Sequence, residues 1–98
     1  MEKEKQSIPE NQIYVGSKPF LAYLKSINTL FRIKKLNEIE LKARGKNIKK
    51  AVDLAESSRK KFCHDLGITI KDIKIETEIF TKEGKEINVS AMTIFLKR

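Results

Sequence analysis

Apolar and polar residues alternate with a two-residue period in several stretches of the chain, which is the pattern of β-strands. The alternation is strict in residues 37–43, and a short apolar stretch, 12–16, ends at a glycine. An isoleucine-rich run, 68–80, is separated from another apolar run, 87–96, by the glycine-containing turn 82–86. These last two runs are predicted to form a long β-hairpin.

Two other stretches have the three-to-four residue apolar spacing of helices. The first is 17–33, where Ser17 is the predicted N-cap and Pro19 is compatible with the first turn. The second is 46–64, and Gly67 is predicted to form the turn that follows it. Each helix has an apolar side that can pack on a sheet.

The resulting order β-α-β-α-β-β predicts a two-layer α/β sandwich formed by residues 12–98. Residues 1–11 contain few apolar side chains and are predicted to be a disordered tail. Within the third strand the apolar parity shifts between Ile70 and Ile73, which indicates either a β-bulge or a later start of the strand. A chain of 98 residues holds one domain with a small core, which favours pairing with a second copy.

The segment KARGKNIKK, residues 42–50, contains five basic residues and no acidic one. It lies where the second helix begins, and cations there oppose the helix dipole but favour a bound phosphate. Gly45 allows a tight turn and a close approach of the backbone to a phosphate chain. The segment is therefore predicted to bind a sugar-phosphate backbone.

On a helical projection of the second helix, Lys46, Lys49 and Lys50 share one side. The opposite side, predicted to be buried, consists of Ile48, Ala51, Val52, Ala55 and Phe62. The lysines are expected to form an outward-facing basic stripe. The alternative interpretation is a solvated, lysine-rich helix face beside an ordinary turn glycine.

The composition agrees with a polyanionic ligand, since the formal net charge is +8 and the sequence pI is near 9.7. Such an excess favours nucleic acid first and an anionic membrane surface second. Cys63 is the single cysteine, which suits a reducing compartment. The polar N-terminus is unlike a signal peptide. A membrane span needs about 18 apolar residues, and no apolar run is that long. We therefore expect no membrane insertion and a location in the cytoplasm or on the chromosome.

Three segments resemble the Alba family of archaeal chromatin proteins: IYVGSKPFLAYL (13–24), IELKARGKNIKKAVDLAE (39–56) and the terminal hairpin. The family pattern is a strand followed by G-K-K-P at the first helix, and K-A-R-G-(R/K)-x-I-x-K-A-V-D at the second. The resemblance extends over residues 12–98 without a large gap.

This resemblance implies a fold like the C-terminal domain of translation initiation factor three, with the hairpin as an arm. It implies a homodimer that binds double-stranded DNA with little sequence preference, and often RNA, with its arms reaching toward the minor groove. Dimers of the family also associate along DNA through a phenylalanine that Phe62 matches. The predicted function is non-enzymatic organisation and compaction of chromosomal DNA, with no cofactor and no metal.

Charge and resemblance together define a predicted nucleic-acid-binding set. Its members are Ser17, Lys18, Lys42, Arg44, Gly45, Lys46, Asn47, Lys49, Lys50, Lys82, Lys85 and Asn88. Ser17 stands where the family has its best-known acetylated lysine, so that modification is not available at this position. The arm is less basic than the family pattern, because Glu83 and Glu86 offset its two lysines and Asn88 replaces an expected arginine. We therefore expect weaker minor-groove engagement.

Two alternatives stay open. An RNA-binding role, as a subunit of an RNA-processing or translation-associated complex, is compatible with the weakly basic arm. Tyr14, Tyr23 and Phe80 could stack on unpaired bases, although packing is the simpler interpretation of the last two.

The other alternative is a small enzyme that uses Cys63 or His64. Adjacent helix residues point about 100° apart, however, and no second Cys or His can complete a zinc site.

Overall fold

The computed structural model describes residues 9–98, which form a four-stranded sheet covered by two main helices. The strands are β1 (Gln12–Tyr14), β2 (Glu38–Arg44), β3 (Thr69–Lys82) and β4 (Lys85–Lys97), and the helices are α1 (Phe20–Asn28) and α2 (Ile48–Ser57). The predicted element order and two-layer α/β architecture are confirmed. Residues 1–8, most of the predicted N-terminal tail, lie outside the described residues.

The strands lie in the order β1-β2-β4-β3, with β1 parallel to β2 and the other neighbours antiparallel. In β2, Ile39, Leu41 and Ala43 are buried, while the residues between them are partly exposed. The buried side of the strand belongs to the same core as Leu54 of α2 and Phe31, which follows α1. The strict alternation in the sequence therefore marks the face of the sheet that carries the helices.

β3 and β4 form the predicted long hairpin, joined by a two-residue turn at Glu83 and Gly84. Both turn residues have positive φ, 51° and 76°, a geometry that matches the twist of the flanking strands. Pairing between β2 and β4 ends at Ala91. Residues 85–90 therefore pair with β3 alone and project from the body as an arm.

A β-bulge at Lys71 sets which residues of β3 face the helices. The pairing register shifts between Ile70 and Asp72, so that Ile73 lies on the helix-bearing face of the sheet. At the same place the Lys71 amine lies 3.0 Å from the carboxylate of Glu38 on β2. The bulge predicted from the change in apolar parity is confirmed.

α1 begins later than the sequence predicts. The helix starts at Phe20, and its N-cap is Pro19, whose backbone is extended with ψ of 147°. The prediction of Ser17 as the N-cap is therefore wrong. The physical reason is that the amides on either side of Ser17 donate to the hydroxyl of Tyr23, which holds this segment as a loop.

Shorter helical turns extend both helices. α1 continues as a π-helical turn, Thr29–Ile33, and a 3-10 turn, Gly45–Asn47, leads into α2. After α2 follow a π-helical turn, Ser58–Phe62, and a 3-10 turn, His64–Leu66. Gly67 then has a φ of 67°, which confirms the predicted turn after the second helix.

The buried side of α2 differs from the predicted one. Ala51, Leu54 and Ala55 are buried, but Val52 and Phe62 are 40% and 39% exposed. The buried residues lie in the middle of the side of the helix that faces the sheet. Val52 points about 100° away from its buried neighbour Ala51. Phe62 lies beyond α2, where the wider π-helical turn changes the helical phase. The prediction that these two residues are buried within the chain is therefore wrong.

Candidate nucleic-acid interface

Side chains from both helices hold the loop between β1 and α1. The Tyr23 hydroxyl accepts hydrogen bonds from the amides of Gly16, at 2.7 Å, and Lys18, at 3.3 Å. The Lys50 amine donates to the carbonyl oxygens of the same two residues, at 2.7 and 3.0 Å. It also lies 5.4 Å from the centre of the Tyr23 ring, within cation–π range. The backbone is thus fixed on both sides of Ser17, while the side chains of Ser17 and Lys18 stay exposed.

These hydrogen bonds join two basic segments that are far apart in the sequence. Lys50 lies in the first turn of α2, which follows directly on the Gly45–Asn47 turn. Val15, just before the loop, donates its amide to a carbonyl oxygen of β2 at 2.8 Å. Lys18 and Lys46 are both exposed, and neither forms an ion pair within residues 9–98. Two exposed amines are therefore carried by adjoining segments.

The backbone conformation of Gly45, rather than crowding, explains the glycine. Its φ is 52°, in the left-handed region that is unfavourable for a residue with a side chain. An added Cβ atom would have its nearest neighbour, Val89 Cγ1, at an ordinary 3.9 Å. The glycine thus permits the predicted tight turn from β2 into α2.

Arg44, at the end of β2, is directed toward the base of the arm. Its Nε atom lies 2.8 Å from Glu78 Oε1, and its guanidinium carbon lies 5.7 Å from the centre of the Phe80 ring. Both partners belong to β3 and share the face of the sheet on which Arg44 lies. The charge of Arg44 is therefore partly compensated within the chain.

Two more basic residues of the predicted set have partners inside the chain. The Lys49 amine lies 2.8 Å from Asp53 Oδ2, and this hydrogen bond raises the pKa of Lys49. The Lys42 amine donates to Thr93 Oγ1 at 3.2 Å. Each lysine must exchange an internal partner for a phosphate if it is to contact nucleic acid.

The tip of the arm has mixed charge, as the sequence indicates. Lys82 and Lys85 pair opposite each other across the turn. Glu83, Glu86 and Asn88 are exposed beside them. The two lysines of the tip are therefore offset by two glutamates.

A groove of about 290 Å³ opens beside the loops, mostly on the face of the sheet opposite the helices. Its lining includes Tyr14, Lys42, Arg44, Asn47 and Glu76. Tyr14 is 50% exposed, so its ring is accessible. The groove thus combines cations, an aromatic ring and a carboxylate, groups that can contact a phosphate, a base and a ribose hydroxyl.

Apolar side chains of β3 remain exposed on the helix-bearing face of the sheet. Ile73 and Ile75 of β3 are 50% and 72% exposed, although their β4 neighbours continue the core face. Val52 of α2 and Phe62 add further exposed apolar surface. This amount of uncovered apolar surface is typical of an interaction site.

Cys63 lies in an environment that suppresses its nucleophilic form. The thiol is buried, and burial raises its pKa, so that the thiolate is disfavoured. Its Sγ atom lies 3.8 Å from Asn28 Oδ1, whereas the neighbouring His64 is exposed to solvent. The geometry therefore gives no support to an enzyme built on these two residues.

These features define a small basic α/β domain whose adjoining loops are suited to a polyanion. The chain belongs to the Alba family, since the model of that family matches residues 11–77. No helix within residues 9–98 is long and apolar enough to cross a membrane.

Individual relatives agree with this assignment. The chain is 45% identical over 89 residues to the DNA/RNA-binding protein Alba of Picrophilus torridus, covering 91% of this chain and 97% of that protein. It is 43% identical, with the same coverage, to the DNA/RNA-binding protein Alba 1 of Archaeoglobus fulgidus. The solved structure of Alba from Thermoplasma volcanium has a TM-score of 0.80 and 42% identity, covering 90% of this chain and 100% of that chain. The family and fold predicted from the resemblance are confirmed.

Proposed function

We propose that this protein binds the sugar-phosphate backbone of nucleic acid, chiefly double-stranded DNA, and organises chromosomal DNA without enzymatic activity. The junction of the two basic segments carries the proposal, because Lys50 ties the loop bearing Lys18 to the helix that follows Lys46. The two relatives described above are named as DNA/RNA-binding proteins. Association with the chromosome in the cytoplasm follows from this proposal.

Phosphate contacts supply the affinity in this proposal. Lys18 and Lys46 offer exposed amines, and the turn at Gly45 brings the backbone to the same surface. Contacts to phosphate carry almost no sequence information, so unrelated duplexes should bind equally well. Affinity should fall steeply with salt, with a slope of log K against log salt near −0.9 for each phosphate neutralised.

The remaining predicted binding residues lie beside this centre or on the arm. They are Ser17, Lys42, Arg44, Asn47, Lys49, Lys82, Lys85 and Asn88. Lys42, Arg44 and Lys49 must first release an internal partner, and the tip of the arm has mixed charge. We therefore assign these residues supporting contributions, with weak engagement of the minor groove by the arm.

A homodimer is part of the proposal. The exposed Ile73 and Ile75 extend the core face of the sheet beyond the helices, and a second copy placed there would remove them from water. Phe62, exposed at the end of the turn after α2, is assigned to the contact between neighbouring dimers on DNA.

The test is fluorescence anisotropy with two unrelated DNA duplexes and one structured RNA at several salt concentrations. The double variant Arg44→Ala, Lys46→Ala should weaken binding to both duplexes equally and flatten the salt slope by about one for each phosphate that is no longer neutralised. The control is the double variant Lys61→Ala, Lys97→Ala, which removes the same amount of charge from exposed positions outside the two loops. Equal effects of the two double variants would reject the assigned surface.

RNA binding is a second candidate, favoured by the groove that contains the exposed Tyr14 ring beside Lys42. An aromatic ring next to a cation suits an unpaired base and its phosphate. A Tyr14→Ala variant that loses affinity for single-stranded RNA, while retaining duplex binding, would support it. Equal effects on both ligands would contradict a separate base-binding role.

A further inference from the structure

We infer that Lys50 is a positioning residue for nucleic-acid binding, which holds the loop between β1 and α1 through its backbone rather than contacting phosphate itself. The inference rests on the proposed function, because the loop matters only if its exposed Lys18 binds the ligand. Helical spacing alone places Lys50 in one outward stripe with Lys46 and Lys49. The hydrogen bonds divide that stripe into residues with different tasks.

The Lys50 amine is already occupied. An ammonium group has three N–H donors, and two of them are directed at the carbonyl oxygens of Gly16 and Lys18 at 2.7 and 3.0 Å. The ring of Tyr23 lies beside the same amine, 5.4 Å away. One donor at most is left for a phosphate, whereas Lys46 is exposed and forms no ion pair within the described part of the chain.

Tyr23 complements Lys50 on the same two residues. Its hydroxyl oxygen accepts from the amides of Gly16 and Lys18, while Lys50 satisfies their carbonyl oxygens. Four hydrogen bonds from two side chains thus fix the loop on both sides of Ser17. Tyr23 is buried and uncharged, so it has no direct route to a phosphate. Any effect of Tyr23 on binding must pass through the loop.

A loop ordered in the free protein lowers the entropic cost of binding, because Lys18 does not have to be immobilised at that moment. Lys50→Met keeps most of the length of the side chain but removes its charge and its donors. We expect it to weaken duplex binding about two- to ten-fold, the range for ordering one flexible side chain. Tyr23→Phe removes only the hydroxyl that accepts from the two amides, and it should also weaken binding.

The experiment compares wild type, Lys50→Met, Tyr23→Phe and Lys46→Met on one duplex over a range of salt concentrations. Lys46→Met, the matched charge variant, should reduce the salt slope by about one, because one phosphate is then left without its cation. Lys50→Met should reduce it by less than half of that change, and Tyr23→Phe should leave it unaltered. Hydrogen exchange of the free proteins should show faster exchange at Gly16 and Lys18 in the Lys50 and Tyr23 variants only. Unchanged thermal unfolding confirms that the variants are folded.

Two results would overturn the inference. The first is a Lys50→Met variant that matches Lys46→Met in salt slope and keeps slow exchange in the loop, because Lys50 would then contact phosphate directly. The second is unchanged affinity in both loop variants. If wild type shows no salt-dependent duplex binding, the proposed function fails instead, while exchange in the free protein still decides whether Lys50 and Tyr23 hold the loop.

Discussion

Arg44 on β2 and Glu78 on β3 form an ion pair with 2.8 Å between Nε and Oε1, at the point where the arm leaves the body. A phosphate of the ligand would therefore compete with the carboxylate of Glu78 for the guanidinium group of Arg44. Both side chains are partly exposed, 56% and 34%, so solvent weakens the pair and a ligand can reach it.

Removing the carboxylate should strengthen binding. We expect Glu78→Gln to raise duplex affinity about two- to five-fold, since an exposed pair of this kind contributes less than roughly 1 kcal/mol. Glu76→Gln is the matched control. Glu76 is exposed on the same face of β3, and its substitution removes the same charge. Anisotropy titrations that give the two variants equal affinity would show that net charge, not release of Arg44, is responsible.

Gly45→Ala should impair both stability and binding. A side chain at φ of 52° costs about 1–2 kcal/mol in free energy of unfolding. Gly67→Ala is the control, since φ there is 67° and the turn lies outside the two basic loops. We expect both variants to lose similar stability in denaturant titrations, but only Gly45→Ala to lose duplex affinity at temperatures where both are folded. Equal affinity would mean that the turn has only a structural task.

Ile75→Lys should convert the proposed homodimer into monomers, because it places a charge in apolar surface that a second copy would cover. Thr69→Lys adds the same charge on the other face of β3, at an exposed position. Light scattering after size exclusion measures the mass. A dimeric Ile75→Lys protein would place the interface elsewhere.

Phe62→Ala should leave dimers intact and make the coating of long DNA less cooperative. Leu21→Ala, at another exposed apolar position, is the control for loss of surface hydrophobicity. Binding isotherms on duplexes long enough for several dimers report the cooperativity. Isotherms as steep as those of wild type would remove Phe62 from the proposed contact.

The ion pair between Arg32 and Asp65 predicts a pH dependence of stability. The two nitrogens of Arg32 lie 3.0 and 2.6 Å from the carboxylate, and this hydrogen bonding lowers the pKa of Asp65. A lowered pKa in the folded state stabilises the protein above the ordinary carboxylate pKa, and the gain disappears as pH falls through the lowered value. Unfolding of Asp65→Asn should therefore differ from wild type at pH 7 and converge with it in strong acid.

The order of strands and helices, the bulge and the hairpin turn follow from local pattern, since side-chain alternation and turn glycines act over a few residues. Which residues of α2 are buried depends on which other elements of the chain pack against the helix. Helical spacing alone therefore could not show that Val52 remains exposed. The pairing of Arg44 with Glu78 depends on register across three strands. Alternation places both residues on one face, but only the observed register brings them together.

The basic stripe shows the same limit at the level of function. Spacing along the helix places Lys46, Lys49 and Lys50 on one side near the start of α2 and treats them as equivalent. The fold gives Lys49 an acidic neighbour, uses Lys50 to hold another loop and leaves Lys46 exposed. A partner contributed by a distant loop leaves no periodic signal in the sequence.

The arm has a definite reach. Residues 85–90 extend past the last pair with β2, and at about 3.3 Å per residue they span roughly 20 Å. At about 3.4 Å per base pair, an arm laid along a duplex would occlude roughly six base pairs beyond the body. The length of the hairpin would then set how many base pairs beyond the body each copy makes inaccessible to other proteins on the chromosome.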